Sequence, residues 1–224
     1  MKKEKIMMDI PLLEGVADQV KEAFLSMSRT KKWARGELIV SEGDDCTSLF
    51  IVTHGVAAVQ KYTSSGEFSM VRLIDLGCCF GEELVFEKKA RFAYTLEAVS
   101  DVTIVTVPME QLQEMMDQYP EIRDNYLKVL FKRTCAQDQR ITLLSLKTVR
   151  QKIAYYLLFL SDLKDSESVT LPVPKEVVAK YLAIPRPSFS RELSLMEKEG
   201  SIKVTGRTIN LLDLPSLRKE LGEV

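Results

Sequence analysis

The sequence predicts an α+β chain: an N-terminal antiparallel β jelly roll, then a long helix, then a C-terminal helix-turn-helix closed by a small β-hairpin. Three observations predict it. From Trp33 to Pro108, short β-rich pieces alternate with glycines at 36, 43, 55, 66, 77 and 81, at hairpin-like intervals. From Pro120 to about Leu144 a single helical pattern runs on. From Val173 to Leu211 two short amphipathic helices meet at a proline-broken turn and lead into two strands joined at Gly206. Strand and helix do not alternate, so a parallel sheet is not expected.

Taken in order, Val16–Ser28 reads as a short helix or two, with Val20, Phe24, Leu25 and Met27 on the apolar side. Strands are predicted at Glu37–Val40, Leu49–Val52, Val56–Tyr62, Phe68–Ile74, Tyr94–Val99 and Val102–Val107, with Ser64-Ser65-Gly66 the clearest turn. Many short strands at this spacing argue a barrel or jelly roll. Pro108 opens a short helix with Met109, Leu112, Met115 and Met116 inward, and Asp117-Gln118-Tyr119-Pro120 separates it from the long one. Along the long helix Leu127, Leu130, Thr134, Gln137, Ile141 and Leu144 fall on heptad a and d positions. That is the pattern of a two-stranded dimer seam with a polar middle; a single intramolecular amphipathic helix is the alternative. Leu146-Lys147-Thr148 is the expected hinge. A helix over Val149–Ser161 follows, with Val149, Ile153, Leu157 and Leu160 buried, then a polar loop from Lys164 to Ser168 and a strand over Val169–Val173.

In the first helix of the C-terminal pair, Val177, Val178 and Leu182 supply the apolar face, and Ala179 is small enough for a close helix crossing. A residue before proline is pushed out of the α region, so Ala183-Ile184-Pro185 ends that helix. In the second, Phe189, Leu193 and Met196 at i, i+4 and i+7 form one buried stripe, and the opposite side offers Arg186, Ser188, Ser190 and Arg191. Gly200 stops it as a left-handed cap. In a helix-turn-helix the second helix enters the DNA major groove, where arginine bonds both acceptors of guanine. A helix pair with a hairpin also serves simply as a packing unit; the two exposed arginines favour DNA.

A chain of 224 residues accommodates one large or two modest domains. Its net charge of −1 says nothing about partners. From Lys147 onward there are 13 basic and 10 acidic residues, against 18 and 22 before it, which suits a DNA module attached to something else. No apolar run approaches a membrane span, Ile153 to Leu160 being far too short, and Met1–Leu13 lacks the apolar region and cleavage site of a secretory signal. No membrane association is therefore expected, and the cytoplasm is the expected location. Cys46, Cys78, Cys79 and Cys135 have no paired CxxC spacing and are expected as reduced, packed thiols with no metal site. With one histidine, no glycine-rich phosphate loop and no nucleophile–base set, an enzyme is not expected.

The runs Lys180-Tyr181-Leu182-Ala183-Ile184, Ser188-Phe189-Ser190-Arg191-Glu192-Leu193 and Met196-Glu197-Lys198-Glu199-Gly200-Ser201-Ile202 resemble the Crp/Fnr superfamily. These cyclic-AMP receptor and fumarate-nitrate regulator proteins are bacterial transcription factors with a C-terminal winged helix-turn-helix. Gly36-Glu37, Glu42-Gly43-Asp44, Gly55-Val56, Phe80-Gly81-Glu82 and Ala98 are similar to the cyclic-nucleotide-binding domain of the same family, so the resemblance covers nearly the whole chain. The family pattern has a glycine at Ala183, a base-reading glutamate at Pro187 and a valine or isoleucine at Phe189. Proline is tolerated in a first helical turn but offers the bases no donor or acceptor, so the half-site is expected to differ there.

The resemblance also bears on the effector. Nucleotide-binding members hold the cyclic phosphate with an arginine and a serine, and take the ribose hydroxyl with a glutamate. Glu82 keeps that glutamate. The arginine and serine positions fall on Phe92 and Ala93, with Arg91 one residue away and, on a strand, facing the other side. Phenylalanine cannot supply charge-assisted bonds to a phosphate, so cyclic AMP is not the expected effector. A pocket floored by Phe92, Ala93 and Tyr94 suits a flatter or more apolar ligand. The family further implies that the long helix pairs two subunits, that Arg133 bridges to Glu82, and that Gln137 and Asp138 lie closest to a ligand shared across the dimer.

The expected organisation is thus an effector-sensing β jelly roll over 1–116, a dimerisation helix over 117–146 and a winged helix-turn-helix over 147–224. The expected protein is a homodimeric transcription regulator that binds double-stranded DNA at a pseudo-palindromic operator, works with RNA polymerase and answers an unidentified small molecule. Arg186, Pro187, Ser188, Ser190, Arg191 and, in the wing, Arg207 would face DNA. Gly81, Glu82, Arg91, Phe92, Ala93, Arg133, Gln137 and Asp138 would surround the effector. Two alternatives share the fold. One is a small-molecule-binding regulatory subunit acting on a protein partner. The other is a haem-based gas sensor using Cys78, Cys79 or His54 as axial ligand; otherwise no cofactor is expected. An iron–sulfur cluster is not expected, because the oxygen-sensing members carry an N-terminal cysteine group and no cysteine precedes Cys46.

Overall fold

The computed structural model describes residues 10–62 and 68–222, so the expected Ser64-Ser65-Gly66 turn lies outside the described residues. The chain divides into two compact units, Met1–Cys135 and Ala136–Val224. The boundary falls inside the long helix.

The first unit opens with a 3-10 turn at Pro11–Leu13 and helix α1 (Asp18–Met27), which buries Phe24 completely and Val20, Leu25 and Met27 in part. Among the described residues eight strands follow: β1 (Arg29–Trp33), β2 (Leu38–Val40), β3 (Ser48–His54), β4 (Ala57–Tyr62), β5 (Phe68–Ile74), β6 (Cys79–Phe80), β7 (Thr95–Ala98) and β8 (Val102–Pro108). They form two four-stranded antiparallel sheets, ordered β1-β8-β3-β6 and β2-β7-β4-β5. This is the expected β jelly roll. Inward side chains of β3, β7 and β8, among them Leu49, Ile51, Leu96, Ile104 and Val107, are fully enclosed, while Thr103 and Thr106 of β8 alternate toward the outside.

Two strands carry no sequence signal. In β1 only Trp33 is buried and the other four side chains are exposed; it is an edge strand, paired to β8 alone. An edge strand with charged outward residues reads as a polar loop. β6 is two residues long, too short for any period to register.

Between β3 and β4, Gly55 has φ +79°, and a Cβ there would lie 2.0 Å from the Asp101 carbonyl oxygen. Only glycine fits that approach. Helix α2 (Met109–Gln118) buries Met109, Leu112, Met115 and Met116, as its pattern requires. Helix α3 (Pro120–Ser145) packs its first turns inward through Ile122, Asn125 and Tyr126. The Asn125 amide donates to the carbonyls of Leu12 (3.1 Å) and Glu14 (2.8 Å), fixing the N-terminal turn.

In the second unit, α3 ends at Ser145, and α4 (Val149–Lys164) starts from Thr148, which forms a capping box with Gln151. The break at Leu146–Thr148 therefore exists, and by its contacts it lies inside this unit. Ile153, Leu157 and Leu160 are buried as expected. Val149 is only half-buried, whereas Ala154, Tyr156, Leu158 and Ser161 join the core, so the apolar face is broader than a single stripe. Strand β9 (Ser168–Thr170) is shorter than the expected Val169–Val173, because Pro172 has no amide to donate to a ladder. The chain continues through α5 (Lys175–Tyr181), α6 (Arg186–Lys198), β10 (Ile202–Thr205), β11 (Thr208–Leu211) and α7 (Leu214–Glu220). The sheet order is β10-β11-β9. The unpredicted α7 is capped by Asp213, whose carboxylate accepts from the Ser216 amide at 3.0 Å, and it buries Leu217. Among the described residues no helix is long and apolar enough to cross a membrane.

Candidate DNA-reading face and sensor pocket

The turn between α5 and α6 is tight. Ala183 has φ +54°, inside the left-handed region, and its amide and that of Ile184 bond back to Lys180 (3.1 Å) and Ala179 (3.1 Å). The family glycine at this position has a physical reason, and alanine here sits in a disfavoured conformation. Pro185 then caps α6, whose inner face is Phe189, Leu193 and Met196, each no more than 3% exposed. Arg186, Pro187, Ser190 and Arg191 are exposed on the outer face and Ser188 is half-buried. Gly200, at φ +80°, ends the helix as expected. Arg207 is exposed beside Gly206 at the β10–β11 turn.

Side-chain bonds hold this face still. Arg150 on α4 reaches Glu192 (Nε to Oε1, 2.6 Å), Glu199 (2.7 and 3.0 Å) and Glu220 (3.6 Å), gathering α6 and α7 around one guanidinium. The bonds from Arg150 hold the Glu199 carboxyl below its usual range. Glu197, near the end of α6, accepts from the Val204 amide (3.0 Å) and Lys203 Nζ (3.3 Å), fastening the wing strand β10 to the reading helix. Arg140 donates to the Tyr181 carbonyl and lies 4.4 Å from the centre of its ring, which in turn packs 5.7 Å from Tyr156. The last turns of α3 are thereby joined to α5.

In the first unit, Gly81 (φ +78°) leads into a 3-10 turn over Glu82–Leu84. The Glu82 side chain is 1% exposed, and its Oε1 accepts from Arg133 Nη1 (3.0 Å) and Arg72 Nη1 (3.3 Å). Arg133 also pairs with Glu83, its Nη2 lying 3.0 Å from Oε1. Tyr126 donates its hydroxyl to the Glu82 carbonyl at 2.6 Å. The Glu82–Arg133 bridge implied by the resemblance is therefore formed. Burial pushes the Glu82 carboxyl up, with Arg72 and Arg133 opposing the shift. Burial also acts to raise Glu83, but its bonds from Arg133 carry it below the ordinary range. Glu82 Oε2 and the Tyr94 hydroxyl are buried with no hydrogen-bond partner among the described residues. Sequence reading missed Arg72: its pairing with Glu82 joins β5 to a separate turn, and no local spacing announces it.

Phe92 is buried among Phe50 (5.8 Å), Tyr94 (5.6 Å) and Phe80 (6.4 Å), an aromatic cluster at the position to which the resemblance assigned a phosphate-binding arginine. Two expectations need correction. Ala93 is exposed and does not share a floor with Phe92 and Tyr94, because alternate residues of an extended segment face opposite ways. Arg91 is exposed on the opposite side from Phe92, as the one-residue shift implies, and pairs with Asp45 at 3.1 Å, which takes it out of the set around the effector. On α3, Leu127, Ile141 and Leu144 are exposed, as are Thr134, Gln137 and Asp138, while Leu130 is half-buried. Phe131, off the a and d positions, is 70% exposed.

His54 is exposed at the end of β3. Removal from solvent pushes the Cys46 thiol up to about 12 and drives Cys79 well above its ordinary value, whereas Cys78 is exposed and lies 3.2 Å from the Asp75 carboxylate, whose charge opposes a thiolate. Among the described residues no group of three or more His, Cys, Asp and Glu could hold a metal ion.

A β jelly roll, a long helix and a winged helix-turn-helix with an arginine-bearing outer face form the plan of a DNA-binding regulator. The chain matches the cyclic nucleotide-binding domain over residues 30–119 and the Crp-like helix-turn-helix domain over residues 151–220. It is 29% identical over 196 residues to the transcriptional regulator LdrP of Thermus thermophilus, covering 86% of this chain and 96% of LdrP. It is 23% identical to the transcriptional activator protein FnrA of Stutzerimonas stutzeri, covering 84% of this chain and 78% of FnrA. Its fold is similar to that of FixK2 from Bradyrhizobium japonicum, with a TM-score of 0.73 at 19% identity, over 86% of this chain and 96% of FixK2. The chain belongs to the Crp/Fnr superfamily of transcription regulators.

Proposed function

We propose that the protein is a cytoplasmic homodimer that binds a pseudo-palindromic operator and, with RNA polymerase, sets transcription in response to a small effector other than cyclic AMP. The observation that carries the DNA reading is the outer face of α6. Arg186, Ser190 and Arg191 stand free of the core while Phe189, Leu193 and Met196 anchor the same helix from behind. Arg186 and Arg191 are assigned to base edges, Ser188 and Ser190 to bases or phosphates, Pro187 to apolar contact and Arg207 to the backbone. The exposed apolar side chains Leu127, Phe131, Ile141 and Leu144 support pairing of α3 with a second copy. The division into a sensor (1–116), a pairing helix (117–146) and a reader (147–224) belongs to the same proposal. A gel shift on a pool of duplexes tests it: retention of a sequence-specific subset supports it, and indifference to sequence overturns it.

For the effector, Glu82 and Arg133 are assigned to the ligand's polar side and the Phe92–Tyr94 cluster to its apolar side. Gly81 gives the turn its shape, and Gln137 and Asp138 are assigned to the ligand's outer side. A phosphate placed against Phe92 would meet an aromatic ring where the family resemblance calls for an arginine, and would lose solvation that the ring cannot replace. Calorimetry with cyclic AMP is expected to show no binding at micromolar concentrations; a micromolar Kd would contradict this assignment.

A further inference from the structure

Arg186 is the first residue of the reading helix, and its neighbours on that helix, Pro185 and Pro187, have no polar side-chain atoms to steer it. Its partner comes from the preceding helix: Arg186 Nη1 lies 3.3 Å from Oε2 of Glu176, in the first turn of α5. Both side chains are largely exposed, at 64% and 52%. Both helices are anchored from behind. Val178, Ala179 and Leu182 bury the inner side of α5, and Phe189 and Leu193 bury that of α6. The turn between them is locked by the amide bonds of Ala183 and Ile184. Arg191, the other arginine on this face, has no ion-pair partner among the described residues.

We infer that Glu176 is a positioning residue for base recognition: it holds the Arg186 guanidinium in one orientation, so that its remaining donors meet guanine already aligned. This rests on the proposal that Arg186 reads a base. A guanidinium carries five N–H donors in a rigid fork, and one bond to a carboxylate leaves enough for the two acceptors of guanine. The buttress counters the loss of rotamer freedom that a long flexible side chain suffers when it binds. The cost is electrostatic. A carboxylate on the DNA-facing side repels every phosphate whatever the sequence, so Glu176 weakens non-specific binding while sharpening the specific kind. A residue of merely structural importance would not separate those two effects.

The test compares the full-length protein with Glu176→Ala, Glu176→Gln and Arg186→Ala by fluorescence anisotropy. The probes are a selected operator, its single-base variants and an unrelated duplex. Arg186→Ala identifies the base position that this arginine reads, as the one where preference vanishes. Glu176→Ala is expected to reduce guanine preference at that position roughly 5-fold, the equivalent of one exposed ion pair, and to bind the unrelated duplex more tightly. Glu176→Gln, whose amide oxygen still accepts from the guanidinium, is expected to retain more of the preference. If Arg186→Ala alters preference but Glu176→Ala leaves it intact, or weakens all duplexes alike, the inference fails and the DNA reading stands. If Arg186→Ala alters preference nowhere, the assignment of Arg186 itself fails.

Discussion

Arg133→Ala is expected to lower the stability of the sensor unit by about 3 kcal/mol near neutral pH, because it leaves a nearly enclosed carboxylate short of its closest cation. Arg72 remains at 3.3 Å, which keeps the loss toward the lower end for a broken buried pair. The pH dependence follows from the two acids. Glu82 has its folded value raised above the ordinary 4.5, so its contribution is fully present at low pH and is lost as pH rises through the folded value. Glu83 has a lowered value, so its contribution is present above the ordinary range and is lost as pH falls. Removing Arg133 takes away the bonds that lower Glu83 and one of the charges that offset the burial of Glu82. The deficit is therefore expected to be largest at neutral pH and to shrink on acidification. Urea midpoints at about pH 5 and about pH 7.5 check this. The double variant Glu82→Gln with Arg133→Ala is expected to recover part of the loss. Equal deficits in the single and double variants, unchanged with pH, would refute the ion cluster as described.

Arg191→Ala is expected to weaken binding to the selected operator by about 1–3 kcal/mol and to relax preference at one base position in each half-site. The wing variant Arg207→Ala is expected to weaken all duplexes similarly and to reduce the salt slope by about one unit. The two measurements are complementary: one changes selectivity, the other affinity without selectivity. Titrations over a salt series on matched and mismatched duplexes read both. An Arg191→Ala protein with unaltered preference would remove that side chain from the reading face.

Periodicity made the larger elements legible. Phe189, Leu193 and Met196 recur at helical spacing because one face of α6 meets a core, and the four inward side chains of α2 do the same. β5 was legible because Phe68, Val71 and Ile74 are strand formers and Gly66 and Gly77 bound the run. β1 was not, since an edge strand with one inward residue has no alternation to detect. The position of Ala183 was marked by the family's glycine, yet its left-handed backbone shows only in the structure. The Glu82–Arg133 pair came from the resemblance, whereas Arg72, the Arg150 hub and the Glu176–Arg186 pair depend on contacts across elements. No property of a single stretch encodes those. Ala93 was misplaced because membership of a short run was taken as membership of one face, and extended backbone divides neighbours between two.

The most direct measurement is selection from random duplex DNA by the purified full-length protein, with sequencing of what it retains. The account predicts two inverted half-sites whose centres lie about 10 base pairs apart, one turn of the double helix, as a two-fold pair of reading helices requires. Retained DNA with no common motif, or with a lone half-site bound by a monomer, would contradict it.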